Sequence, residues 1–91
     1  MLDSAQDEIE NISDYIADDS IDNALRWYDH IKEKIQSLET MPDRCPKAPE
    51  SELVDFVIFH LIVGNYRVLY RIEGDTVQVL HVRGWGQENK L

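Results

Sequence analysis

Hydrophobic residues in the first forty positions recur at the spacing of two amphipathic helices. In the first stripe the apolar positions are separated by four, three and four residues, which places them on one side of a helix. These residues are Ala5, Ile9, Ile12 and Ile16. The second stripe has similar spacing and consists of Ala24, Tyr28, Ile31, Ile35 and Leu38. Ser4 and Ser20 precede the stripes as candidate N-caps, and Pro42 stops the second helix. The short connection predicts an antiparallel helical hairpin.

The stretch from residue 53 to residue 83 changes to a pattern of three strands joined by two tight turns. Gly64-Asn65 and Gly74-Asp75 are the turn signals, because Gly, Asn and Asp tolerate the positive φ angles of two-residue hairpin loops. Before this stretch, residues 42–49 contain three prolines and predict a loop. The hairpin turns set a register with two pairs of facing residues, namely Val63 with Tyr66 and Glu73 with Thr76.

This register divides the strand residues between two faces of an antiparallel sheet, because side chains alternate along a strand. The predicted core face consists of Val57, Phe59, Leu61, Val63, Val68, Tyr70, Ile72, Val77 and Val79. The opposite, open face mixes cations with aliphatic residues: Ile58, His60, Ile62, Arg67, Leu69, Arg71, Gln78, Leu80 and Val82. A surface of this composition is typical of one that binds a partner.

Composition narrows the function classes. The 91 residues suit a single domain, carry a net charge of -9 and contain one cysteine, Cys45. One cysteine excludes an internal disulfide and fits a reducing cytoplasm. We find no membrane span, zinc spacing or Gly-rich phosphate loop, and expect neither metal nor cofactor.

Residues 1–41 hold eleven acids and three bases, so the helical half is the acidic half and disfavours non-specific contact with nucleic acid.

Two segments carry a resemblance to a known family. The run RCPKAPESE, followed by VGNYRVLYRIEGDTVQVLHVR behind two amphipathic helices, resembles the RelE/ParE toxin superfamily, the plasmid stabilisation proteins of type II toxin–antitoxin modules. The resemblance implies one α+β domain over residues 1–91, with a helical hairpin on a three- to four-stranded antiparallel sheet. Relatives begin with a short strand, whereas only Met1 and Leu2 precede Asp3 here. We therefore expect a missing or truncated first strand and an exposed sheet edge that a partner or a homodimer covers.

The resemblance also implies candidate catalytic residues. The RNA-cleaving branch of the superfamily is a metal-independent mRNA endoribonuclease that works on the ribosome. Its chemistry needs a cation for the transition state and an acid or base for proton transfer. Arg67 matches the family's strand arginine, and His60 and Arg83 are further candidates. Ile58 stands at a position that is often basic in that branch, and the basic C-terminal tail is absent, which leaves Trp85 for base stacking.

Each of these residues also has a structural interpretation. Arg67 can bind an acidic antitoxin segment or a backbone carbonyl, His60 can be an ordinary strand residue, and His81 can be a satisfied histidine beside the core. The candidate residues for binding an antitoxin or a target are Arg67, Arg71, Ile58, Ile62, Leu69, Leu80 and Trp85.

Three functions follow from the resemblance as expectations. The first is a toxin that inhibits DNA gyrase by protein contact, as ParE does, and the second is a toxin that cleaves mRNA on the ribosome, as RelE does. In both cases a cognate antitoxin neutralises it. The third is a degenerate, non-catalytic module that binds an antitoxin and serves in operon autoregulation. The acidic charge and the sparse cations favour the gyrase-directed function.

Overall fold

The computed structural model describes residues 1–84, which form two helices followed by a three-stranded antiparallel sheet. In chain order the elements are α1 (Asp3–Ala17), α2 (Ile21–Ser37), a short 3-10 helix (Pro49–Leu53), β1 (Phe59–Val63), β2 (Tyr66–Glu73) and β3 (Thr76–Gly84). The strands lie in the order β1-β2-β3. The predicted α+β class, with a helical hairpin on an antiparallel sheet, is confirmed.

The two helices begin differently. The Ser20 hydroxyl accepts a hydrogen bond from the Asn23 amide at 3.1 Å, so Ser20 is the N-cap of α2 as predicted. Ser4 does not cap α1, which begins at Asp3 after Leu2. Instead the Ser4 hydroxyl donates to the Leu80 carbonyl oxygen at 3.3 Å. The prediction of a Ser4 cap is therefore wrong, because this hydroxyl joins the helix to the sheet.

Both hairpin turns form where the sequence predicts them. Gly64 and Gly74 have φ angles of 59° and 60°, the left-handed conformation that glycine adopts without strain. The pairing at the two turns also follows the prediction, with Val63 opposite Tyr66 and Glu73 opposite Thr76.

A β-bulge changes the register farther along β3. The pairing with β2 shifts between Leu69 and Tyr70, so that Val82 lies opposite Val68. A bulge inserts one extra residue into a strand and moves the following side chains to the other face. Val82 is consequently buried in the main core, and its predicted place on the open face is wrong.

The main core lies between the helices and one face of the sheet, which we call the helix-side face. Its buried members are Ala5, Ile9, Ile31, Leu38, Val63, Val68, Tyr70, Val79 and Val82. The helical stripes predicted from the sequence supply Ala5, Ile9, Ile31 and Leu38. Phe59 packs against this core and stacks on Tyr70, with ring centroids 5.6 Å apart.

The opposite face of the sheet, predicted to be open, is partly covered by residues 46–57, which we call the strap. Ala48 of the strap is buried together with Ile58, Leu69 and Leu80, and Val54 and Phe56 pack against this second layer. The prediction of an open surface is therefore wrong for Ile58, Leu69 and Leu80. The aliphatic residues on this strap-side face form a small second core under the strap.

The outer edge of β3 is covered over part of its length. The Leu2 amide donates to the Val79 carbonyl oxygen at 3.0 Å, and the Glu8 carboxylate accepts from the Val82 amide at 3.1 Å. With the Ser4 hydroxyl, these groups satisfy the edge around the bulge. The expected exposed edge is thus covered here by the N-terminal segment, which leaves less of it for strand pairing.

Neither described helix is both long enough and apolar enough to cross a membrane.

Candidate functional site

The most unusual feature of the described residues is a carboxylate buried against the sheet. Glu50, on the 3-10 helix of the strap, has no exposed surface, and Arg67 on β2 is 3 % exposed. The two side chains form a bidentate pair, with Arg67 Nη1 3.1 Å from Glu50 Oε1 and Nη2 2.5 Å from Oε2. A guanidinium matches a carboxylate in this fork geometry, which gives strong charge-assisted hydrogen bonds.

Two further side chains complete this charge cluster, which consists of Glu50, His60, Arg67 and Arg83. Arg83 on β3 lies opposite Arg67 in the register, and its Nη1 is 3.9 Å from Glu50 Oε2. His60 Nδ1 is 3.2 Å from Arg67 Nη1. Arginine is only a donor, so Nδ1 accepts and the ring proton is on Nε2.

The environment of the charge cluster fixes its protonation states. Burial alone would raise the pKa of Glu50, but it is lowered overall by hydrogen bonds from Arg67 and its own backbone amide, and by the charges of Arg67 and Arg83. Burial, together with the positive charge of Arg67, lowers the pKa of His60. The site therefore holds an ionised carboxylate and a neutral imidazole at pH 7.

The strand register explains why the two arginines meet. Arg67 faces Ile62 on β1 and Arg83 on β3, so all three side chains are on the strap-side face. Without the β-bulge, Arg83 would point toward the helices and Val82 would take its place. The bulge thus places both a core valine and a site arginine.

The other candidate residues divide into exposed and buried groups. Ile62 is 44 % exposed. Arg71 is half-buried, lies over the Phe56 ring at 4.0 Å from its centroid and pairs with Glu73 at 3.2 Å. Ile58, Leu69 and Leu80 lie under the strap. Trp85 lies outside the described residues.

A second carboxylate–histidine pair lies at the outer edge of β3, between that strand and α1. His81 Nδ1 is 3.1 Å from Glu8 Oε1 on α1, and the same carboxylate binds the Val82 amide. This matches the structural interpretation of His81 as a satisfied histidine that joins β3 to α1.

Glu50 is the site residue that the sequence analysis missed. Nothing in the local pattern separates it from Glu52, two positions later, although Glu50 is buried and Glu52 is exposed. A signal was present in the sheet itself: the strap-side face was assigned cations and no acid. Two arginines on one face without an acid leave their counter-charge to come from elsewhere in the chain or from a partner.

The geometry of the charge cluster limits the chemistry that it can perform. The described residues include no group of three or more His, Cys, Asp or Glu that could hold a metal ion. The neutral His60 imidazole has the ring nitrogens that proton transfer requires. The charge of Arg67, however, is already compensated by Glu50, so it is not presented to an external phosphate in this conformation.

The fold and this cluster are those of a small α+β protein with a helical hairpin, an antiparallel sheet and a strand arginine. The family model described as "ParE toxin of type II toxin-antitoxin system, parDE" matches residues 1–87. The chain therefore belongs to this family of type II toxin–antitoxin toxins, within the RelE/ParE superfamily. A comparison with curated proteins gives no match.

Proposed function

We propose that this toxin acts by protein contact on DNA gyrase and that a cognate antitoxin neutralises it. The observation that carries the proposal is the bidentate pair between Arg67 and Glu50, both almost completely buried. A gyrase-directed toxin needs a complementary surface and no catalytic arginine. Such a target places its action in the cytoplasm.

Cleavage of mRNA makes a different demand on Arg67. A transition-state cation must reach the phosphate oxygens as charge develops on them. Here Arg67 would first have to leave Glu50, which would then rely on Arg83 at 3.9 Å, and breaking up a buried pair costs up to about 3–5 kcal/mol. This cost argues against Arg67, His60 and Arg83 as a preformed ribonuclease site.

The charge distribution supports the same proposal. The protein carries a net charge of -9, and most of it lies in residues 1–41. A polyanionic substrate such as mRNA is repelled by this field, whereas a protein surface with basic patches is attracted.

The order in which syntheses fail after expression tests this function. In a bacterial host with tightly controlled expression, we expect growth arrest in which thymidine incorporation falls before amino-acid incorporation. Co-expression of the cognate antitoxin should prevent the arrest. A fall in amino-acid incorporation first would favour mRNA cleavage, and no arrest from a folded protein would favour the non-catalytic module.

We place the antitoxin contact on the part of the strap-side face that stays accessible. Ile62 and Arg71 combine an exposed aliphatic group with a partly exposed cation, which suits an acidic and aliphatic antitoxin segment. Ile62→Asp should therefore weaken the complex, measured by calorimetry. Leu25→Asp is the matched control, because Leu25 is an exposed aliphatic residue on α2. Equal effects of the two changes would contradict this placement.

A further inference from the structure

Among the described residues, polar contacts attach the strap to the sheet through the ion pairs of Glu50, the Phe56 ring under Arg71 and a small set of hydrogen bonds. The Ala48 amide donates to the Ile58 carbonyl oxygen at 2.7 Å, and the His60 amide donates to the Pro46 carbonyl oxygen at 3.1 Å. The Ser51 hydroxyl binds both the amide and the carbonyl oxygen of Ile58, at 2.8 and 2.9 Å. Proline lacks an N–H, so Pro46 and Pro49 cannot extend this pairing into a strand ladder.

The two sides of the strap differ in character. Ala48, Val54 and Phe56 face the sheet, whereas Glu52 and Leu53 are exposed to solvent. The apolar layer under the strap is smaller than the main core on the helix side. Because hydrophobic stabilisation grows with the apolar area buried, this layer contributes less than the main core does.

Glu50 adds ion pairs to the apolar contacts between the strap and the sheet. Among the described residues of the strap, Glu50 is the one whose side chain reaches both Arg67 on β2 and Arg83 on β3. A single carboxylate thus joins the strap to the two strands on which it lies. If the Glu50 carboxylate lost its charge, Arg67 and Arg83 would lose this compensating anion while the apolar residues of the strap still covered them.

We propose that the strap is a lid, fastened by Glu50, that opens as a unit while the helices and the sheet stay folded. Opening uncovers Ile58, Leu69 and Leu80, brings Arg67 and Arg83 to solvent and exposes more of the partly buried His60. The proposal rests on the contacts of the strap and not on the target of the toxin. It nevertheless bears on the target, because the cations that mRNA cleavage requires are accessible only when this lid is open.

Amide hydrogen exchange, followed residue by residue by NMR, tests the lid in the full chain. In the unmodified protein we expect the strap amides of Ala48 and Ser51, and the Ile58 amide that donates to the Ser51 hydroxyl, to exchange at one shared opening rate. That rate should be at least about 100-fold faster than the rate of the β2 amides of Val68 and Leu69. In Glu50→Gln the strap amides should lose protection, while the β2 amides remain protected.

Two further variants keep the test decisive. Glu52→Gln is the matched control, because it removes an exposed acid from the same strap and should leave the exchange of the strap unchanged. Ser51→Ala removes the hydrogen bonds to Ile58 without leaving a buried charge, and should speed the exchange of the Ala48 and Ser51 amides about tenfold. The Ser51→Ala variant tests the lid even if Glu50→Gln does not fold. The proposal is wrong if strap and β2 amides exchange at one common rate in the unmodified protein, or lose protection together in Ser51→Ala.

Discussion

Replacing Arg67 by methionine is expected to destabilise the protein more than almost any other substitution of a charged residue on the sheet. The guanidinium is 3 % exposed, and the Glu50 carboxylate that it binds is fully buried. Removing one partner of a buried pair costs about 3–5 kcal/mol, and we expect the lower end of that range here because Arg83 remains 3.9 Å from Glu50. That loss is a large share of a typical total stability of about 5–15 kcal/mol. For a domain of this size it lowers Tm by at least about 12 °C.

A double-mutant cycle separates the ion pair from other effects of the substitution. Glu50→Met should cost a similar amount, because it leaves Arg67 and Arg83 without the carboxylate. In the combined variant two apolar side chains replace the pair, which is often close to neutral, although Arg83 still loses the Glu50 carboxylate. We therefore expect the double variant to lose less than the sum of the two single losses, by at least about 3 kcal/mol.

Urea unfolding followed by circular dichroism measures all four free energies of the cycle. Arg71→Met is the control, since the ion pair of Arg71 with Glu73 is partly exposed and contributes about 0–1 kcal/mol. An Arg67→Met cost below about 1 kcal/mol, or strictly additive losses in the double variant, would refute a structural role for this pair.

The cycle also changes how a loss of toxicity is interpreted. An Arg67→Ala variant that is inactive because it is unfolded says nothing about catalysis. The Glu50→Met, Arg67→Met double variant lacks the candidate catalytic arginine but is expected to fold. Toxicity that survives in this double variant excludes Arg67 as a catalytic residue.

Three other predictions concern the fold and its dependence on pH. Phe59→Ala should cost about 3 kcal/mol, because the Phe59 ring stacks on Tyr70 beside the main core. Ser20→Ala should cost about 1 kcal/mol by leaving the Asn23 amide without its cap. The pKa of Glu50 is lower in the folded state than its ordinary value of 4.5, so the stability from its ionised form is complete above pH 4.5 and is lost as the pH falls below it.

Denaturant unfolding measures each of these effects against a conservative change at the same position. Phe59→Leu should retain most of the stability, and Ser20→Asp should retain the cap. Equal losses in the alanine variants and these controls would contradict the packing and the capping roles. Glu50→Gln should flatten the loss of stability below pH 4.5 relative to the unmodified protein; an unchanged acid dependence would contradict the assignment to Glu50.

The local elements could be predicted from the sequence because local chemistry determines them. The Ser20 cap and the glycine turns need no distant partner, and the helical stripes follow from spacing alone. The β-bulge could not be predicted, because it depends on how β3 fits against β2 and on the Glu8 carboxylate that binds the Val82 amide. A bulge of one residue reverses every later assignment of side chains to faces.

The charge cluster was predicted only in part for a similar reason. Arg67, His60 and Arg83 were identified through their strands and the family resemblance, whereas Glu50 comes from a loop without a regular period. The predicted open face was largely a covered one, because the strap that covers Ile58, Leu69 and Leu80 has no periodic pattern that specifies its position.

The most direct test of the proposed function compares purified toxin on its two candidate targets. Unmodified protein and the Glu50→Met, Arg67→Met double variant would be assayed for inhibition of DNA gyrase supercoiling and for cleavage of mRNA on ribosomes. The gyrase-directed function predicts that both proteins inhibit supercoiling and that neither cleaves mRNA. Cleavage of mRNA by the unmodified protein, lost in the folded double variant and accompanied by uninhibited gyrase, would contradict it.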